Sequence, residues 1–346
     1  MQYWRYIGVP IVLALLVALS RGMVPDLPAS SHSGHFMIDE MGTKVELPVR
    51  PQRVLATANA LDAIVLEMLP PERIAAVTAD SQSPFSSLAW ERARHVKNTL
   101  SRLPGTEEIV ALGPDLVLMP DYTSADIVDG VRAMGIPVVV VKTPERVSDV
   151  HTMVRQVATA LDEAATGERL CRRYDAEVAA VTARRDTIPP SERRSVFFTS
   201  SMTGYGGTGS LFDDMTGYTG LIHAAHAAGI PPKTEFTEER LILMNPDVIF
   251  VPTYSNRYQR QVEMIYADPA LASVGAVRER RVYAVRPAYI YSSSVGIPEA
   301  MNAHQALGYG DRFPALEERY TAPVPEPDKG TRKPMRGKTD KVKTKS

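Results

Sequence analysis

Twice in this chain a helix-patterned segment that begins on glutamates runs into a Pro-Asp turn and then a β-rich strand. The first copy reads Glu107-Glu108-Ile109-Val110-Ala111-Leu112-Gly113-Pro114-Asp115-Leu116-Val117. The second reads Glu238-Glu239-Arg240-Leu241-Ile242-Leu243-Met244-Asn245-Pro246-Asp247-Val248-Ile249. Taken alone, helix, Pro-Asp and strand make a common connector. Its return at corresponding places favours a fold in which two halves repeat one helix-to-strand step.

The surrounding pattern agrees. Residues 36–48 read as a hairpin around Met41-Gly42, followed by β-rich runs at 54–58, 74–78, 116–119 and 138–141. Helical patterns at 60–69, 107–112 and 125–134 separate them, and such alternation predicts a mainly parallel sheet. A proline-free helical stretch over 147–161 and 167–185 follows, with Leu170, Tyr174, Val178 and Val181 at three- and four-residue spacings, and Pro189-Pro190 ends it. A second alternating set comes after: strands at 196–199, 248–251 and 282–285, and helical patterns at 211–228, 238–244, 259–266 and 299–307. The expected fold class is α/β: two Rossmann-like lobes with mainly parallel sheets, 36–146 and 191–320, bridged by a long helix within 147–190. A ligand cleft is expected between lobes of this kind.

The 346 residues suffice for two such lobes at roughly 100 to 200 residues per domain. The 39 Lys and Arg nearly balance 40 Asp and Glu, which argues against nucleic acid as a partner. From Glu326 to Ser346 eight basic residues face three acidic ones, so the body is acidic and residues 321–346 read as a basic, disordered tail. At the other end Arg5 precedes the apolar run IGVPIVLALLVAL over 7–19. That is short against the ~20 residues of a membrane span and suits an export signal within 1–30, cleaved or retained as an anchor. No cysteine stands directly after it, so a lipoprotein anchor there is excluded; Cys171 is the only one in the chain, which also rules out an internal disulfide and a cysteine-based zinc site.

Four features occur in order along residues 36–313: Arg50-Pro51-Gln52-Arg53-Val54, the 107–117 segment, the helix entered at Thr166-Gly167, and Asn245-Pro246-Asp247-Val248-Ile249. Together they resemble the periplasmic-binding-protein family that serves ABC importers of iron-siderophores, haem and cobalamin. The resemblance implies an extracytoplasmic carrier, not an enzyme, that acts as a monomer. It would bind a metal chelate, most readily a ferric siderophore, need no cofactor of its own, and deliver its cargo to an ABC permease in the cytoplasmic membrane. It also implies that Glu107 and Glu239 dock into arginines of that permease. First-turn glutamates equally favour a helix N-terminus for its own sake.

The ligand residues follow from strand ends. In parallel sheets the C-terminal strand ends face the ligand crevice, and the segments expected there carry Asn59, Trp90, Tyr122, Tyr205, Tyr254, Tyr258, Arg286, Tyr289 and Tyr291. The phenols offer stacking and hydrogen bonds, and Arg286 an anion partner. Tyrosines also sit half-buried at lobe rims, and Arg286 suits a structural ion pair.

Other signals are thinner. Gly204-Tyr205-Gly206-Gly207-Thr208-Gly209 matches G-x-G-x-x-G, but the second strand with its acidic end is missing downstream. His223 and His226 are three apart with no third ligand beside them in sequence, and His32 and His35 fall just after the export segment. No G-x-S-x-G elbow is present and Cys171 lies in a helix, so no nucleophile suggests itself. The rival readings are a nucleotide- or metal-dependent enzyme on the same scaffold and a membrane-tethered sensor.

Overall fold

The computed structural model describes residues 35–199, 207–231, 237–254, 259–315 and 320. The export segment, the basic tail, Tyr205 and Tyr258 lie outside the described residues, as does the first half of the glycine-rich motif.

The chain opens on an antiparallel hairpin, β1 (Phe36–Ile38) with β2 (Lys44–Glu46). Then come β3 (Val54–Ala56), α1 (Asn59–Met68), β4 (Ile74–Thr78), α2 (Trp90–Ala93), β5 (Thr99–Leu100) and α3 (Thr106–Ala111). β6 (Leu116–Pro120), α4 (Ala125–Ala133), β7 (Val138–Val141), α5 (Val150–Ala160) and α6 (Ala164–Arg185) follow. The remaining elements are β8 (Ser195–Phe198), α7 (Leu211–Thr219), β9 (Ile222–His223), α8 (Ala224–Ala227), α9 (Glu238–Met244), β10 (Val248–Pro252), α10 (Gln259–Ala267), α11 (Gly275–Arg278), β11 (Val282–Val285), α12 (Pro287–Ile290) and α13 (Ile297–Gly308).

These elements form two compact units. The first comprises residues 35–79, His95–Thr143 and Asp149–Arg172; the second comprises Asp80–Arg94, Pro144–Ser148 and the described residues from Arg173 onward. α6 starts in the first unit and ends in the second.

In the first unit a five-stranded sheet runs β5-β4-β3-β6-β7, every pair parallel. Its strands β3, β4, β6 and β7 are buried along their whole length, which is why they read as unbroken apolar runs such as Val138–Val141. Leu55, Val117, Ile109, Val128 and Val131 belong to one buried cluster, which draws α3 and α4 onto the sheet. In the second unit a four-stranded parallel sheet runs β11-β10-β8-β9. Ile249 and Val251 of β10 cluster there with Leu241 of α9 and Val277 of α11.

The helical stretch over 147–161 and 167–185 is present as α5 and α6, parted at Leu161–Glu163 where Asp162 takes a left-handed backbone at φ 59°. One helical expectation is corrected. The helix expected over 211–228 stops at Gly220, whose φ of 80° suits a residue without Cβ, and the chain then makes β9 and the single turn α8.

Candidate functional site

Because each sheet is parallel, the C-terminal ends of its strands share one edge, and most of the candidate residues emerge there. In the first unit Asn59 follows β3 and opens α1, while Tyr122 follows the adjacent strand β6. Asn59 is half-buried and Tyr122 is exposed.

In the second unit the edge carries a denser group. Tyr254, about half exposed, stands beyond β10. Arg286 is the residue after β11 and caps α12, whose single turn presents Tyr289 and leads into Tyr291. The Arg286 guanidinium lies over the Tyr289 ring, 4.8 Å from its centroid, and its Nη1 donates to the Tyr289 hydroxyl at 3.1 Å. Its Nε is buried without a hydrogen-bond partner. Burial lowers the pKa of this group, while Tyr289 and Glu299 favour its charge. An arginine keeps its charge through such a shift. Among the described residues no carboxylate is hydrogen-bonded to it, so it is a partly desolvated cation whose charge is favoured by Glu299 without a direct hydrogen bond.

The platform beneath is packed and hydrogen-bonded through identifiable contacts. His304 of α13 is fully buried between the Phe212 and Phe250 rings, both at 5.3 Å. Its Nε2 lies 2.9 Å from the Tyr289 carbonyl oxygen, so Nε2 carries the proton and donates. Burial pushes its pKa down to about 4 and keeps the ring neutral. Tyr289 is itself buried and meets Tyr320 edge-on at 5.4 Å, and Tyr291 meets Phe198 edge-on at 5.9 Å. Trp90 opens α2 in the segment Asp80–Arg94, which packs in this same unit: the Ala288 N–H of α12 donates to the Phe85 carbonyl at 2.9 Å.

Sequence reading missed two groups. One is His304, hidden because a lone histidine inside a helix carries no motif. The other is Asp213, an acidic third neighbour that His223 and His226 lack beside them in sequence. Its carboxylate accepts from the Gly209 N–H at 2.7 Å and meets the Nδ1 atoms of His223 at 3.1 Å and His226 at 3.0 Å. Burial raises its pKa, but the Gly209 amide and the two imidazoles outweigh burial and hold it below the usual carboxylate value. The described end of the glycine-rich motif is therefore tied to β9 and α8. Among the described residues no group of three or more His, Cys, Asp or Glu side chains is arranged to hold a metal ion.

The two glutamates occupy matching helices. Glu107 lies in the first turn of α3 and Glu239 in the first turn of α9, and both are exposed. Glu239 is held below the usual carboxylate value by hydrogen bonds from its own backbone N–H and the Thr237 hydroxyl. The adjacent Glu108 is engaged locally, accepting from the Ser101 N–H at 2.7 Å and its hydroxyl at 2.6 Å. That leaves Glu107 as the outward carboxylate of the pair.

The model of the periplasmic binding protein family matches residues 65–289. The chain belongs to this family. Among known proteins it is 20% identical to the molybdate-binding protein MolA of Haemophilus influenzae over 313 residues, covering 83% of this chain and 86% of that protein. Among solved structures, the periplasmic heme-binding protein RhuT from Roseiflexus sp. RS-1 in apo form has a TM-score of 0.66 at 24% identity, covering 75% of this chain and 98% of that one. Molybdate-bound MolA has a TM-score of 0.67 at 18% identity, covering 85% and 99%. Membership fixes the class of the molecule as a periplasmic binding protein and its fold as two α/β units. The cargo is a separate question, since such scaffolds change ligands through side chains alone.

Proposed function

We propose that this protein is the extracytoplasmic receptor of an ABC importer, capturing an anionic metal chelate, a ferric siderophore, and handing it to the permease without chemical change. The observation that carries the ligand class is Arg286: a half-buried guanidinium stacked on Tyr289, with its Nε buried and unpartnered and no carboxylate hydrogen-bonded to it among the described residues, is stabilised by an incoming anion. Tyr254 and Tyr291, beyond the same sheet's strands, supply aromatic surface of the kind a planar or chelated ligand stacks on, while the buried Tyr289 backs the arginine. A second reading, haem, is favoured by relatives named for heme binding, and haem carries carboxylates that suit the same arginine. Molybdate, named for MolA, is an anion as well. Cobalamin lacks that charge match.

Titrating the purified protein with ferric siderophores, haemin and molybdate, each followed by absorbance or tyrosine fluorescence, separates these cargoes. Arg286→Gln is expected to weaken the true ligand by roughly 10- to 100-fold, the range of a lost charge-assisted hydrogen bond. Unchanged affinity in that variant sinks the anion assignment. Glu107 and Glu239 are the proposed handles for the permease. Changing both to Gln is expected to abolish uptake and leave ligand affinity in solution intact; surviving uptake refutes the docking role. Export is assigned to residues 1–30, and the mass of the mature N-terminus tells a cleaved signal from a retained tether.

A further inference from the structure

Residues 80–94 leave β4 and return to β5, two strands of the first sheet, yet they pack in the second unit. They form a braced loop. The Gln82 Nε2 donates to the Ala93 carbonyl at 3.1 Å, which ties the two ends together, and the Ser87 hydroxyl accepts from the Ala89 N–H at 3.1 Å. The bond from the Ala288 N–H to the Phe85 carbonyl holds this loop against the turn that carries Arg286, Tyr289 and Tyr291. A second hold lies at Gly296, the residue before α13, where a Cβ would stand 2.9 Å from Leu88 Cδ1 and 3.0 Å from Ser292 Oγ. Gly296 has φ -83°, which any residue adopts, so the backbone does not ask for glycine there. The space does. Leu88 takes the place of the missing side chain, and Trp90, two residues on, stays half-buried while Ser81, Phe85 and Ser87 of the same loop are buried.

We propose that the second unit offers the cargo two walls, the turn at 286–291 and the loop that ends in Trp90. In this arrangement Trp90 selects for an aromatic chelate, and Gly296 and Leu88 are positioning residues that fix where its indole stands. The inference rests on the cargo reading of Arg286 and deepens it: the arginine answers to the charge of the ligand, the indole to its flat aromatic groups. An indole brings a large apolar face with a defined stacking geometry, and that geometry is useful only if the ring is held in place. A slack loop would have to be ordered on binding, at a cost in affinity. The bracing within residues 80–94 and the close approach of Leu88 to Gly296 place that cost in folding instead.

The test titrates the full-length protein with haemin, a ferric tris-catecholate and molybdate, and follows melting temperature in parallel. The wild type is expected to prefer an aromatic chelate to molybdate. Trp90→Leu is expected to weaken that chelate by about tenfold, the range of a lost stacking partner, whereas Trp90→Phe keeps its affinity within about threefold. Gly296→Val, which displaces Leu88, and Leu88→Ala, which slackens the loop, are each expected to cost about three- to tenfold in chelate affinity. Gly296→Ala and Leu88→Ala act through one contact, so their losses are expected to be less than additive; this pair decides the point if the valine variant does not fold. Wild-type chelate affinity in Trp90→Leu, with affinity lost in Arg286→Gln, overturns the inference and leaves the cargo reading standing. Equal losses in Trp90→Phe and Trp90→Leu, or tighter binding of molybdate than of either aromatic chelate, overturn the selective role of Trp90. Additive losses at Gly296 and Leu88 overturn their positioning role. Wild-type affinity in Arg286→Gln, or binding of none of the three probes, overturns the cargo reading itself.

Discussion

The two helix, Pro-Asp, strand modules do the same job with different atoms. In the first unit the Asp115 carboxylate accepts from the Gln52 and Arg53 N–H groups at 2.6 and 2.9 Å, fixing the start of β3 beside β6. In the second, Asp247 accepts from the Ser195 N–H and hydroxyl, both at 2.8 Å, fixing the start of β8 beside β10. Each module turns through a left-handed residue before its proline, Gly113 at φ 58° and Asn245 at φ 42°. The helix ends are closed differently. Arg53 reaches back to the Leu112 and Gly113 carbonyls at 2.6 and 2.9 Å, whereas the Asn245 side chain accepts from the Gly275 N–H at 2.8 Å and ties in α11. What persists between copies is therefore the carboxylate that sets two neighbouring strands in register. The residue in the turn is free to vary among those that tolerate a left-handed backbone.

The sharpest way to separate the units is acid. His304, buried in the second unit, has a folded pKa of about 4 against an ordinary 6.5. A depressed histidine gives stability that is complete above the unfolded value and is lost as pH falls toward the folded one, here between about pH 6.5 and 4, on the order of 3 kcal/mol in all. Hydrogen exchange is expected to show amides of β8 and β10 opening before those of β3 and β6 across that window, and His304→Gln to remove the window. Simultaneous opening of both sheets breaks the contrast.

Next in size are the carboxylates. Asp115→Ala and Asp247→Ala each remove two strand-fixing bonds and are expected to cost about 2 to 3 kcal/mol by denaturant unfolding. If one costs less than about 0.5 kcal/mol, the shared role assigned to them fails. Smallest are the turn residues. Gly113→Ala is expected to cost about 1 kcal/mol because a side chain resists the left-handed backbone, and Gly113→Asn clearly less. Asn245→Gly keeps the turn but loses the bond to Gly275, at about 1 kcal/mol. Equal costs for Gly113→Ala and Gly113→Asn contradict the argument from backbone conformation.

The central strands were legible because a parallel strand buried on both faces must be apolar throughout, as in Val138–Val141 and Leu116–Pro120. The edge strands Thr99–Leu100 and Ile222–His223 were not, since two residues cannot carry a period. Gly220 escaped notice as a helix end because apolar residues continue past it at Leu221. At the candidate site, Arg286, Tyr289 and Tyr291 could be placed beyond a strand from sequence alone. Their support could not, because His304 meets Tyr289 through a backbone carbonyl and Asp213 meets its histidines across a turn and a strand. Such contacts depend on tertiary geometry and leave no spacing to read.

The bond from the Ala288 N–H to the Phe85 carbonyl also has a meaning in time. Residues 80–94 are made early, yet their partner α12 follows about 200 residues later, a wait of roughly 10 to 40 s at ordinary rates of synthesis. Every strand of the first sheet exists by residue 141, long before that partner. Until α12 is made, the Phe85 carbonyl lacks the donor that it has in the folded protein, so residues 80–94 are the part of the early chain that has to wait longest for its own unit.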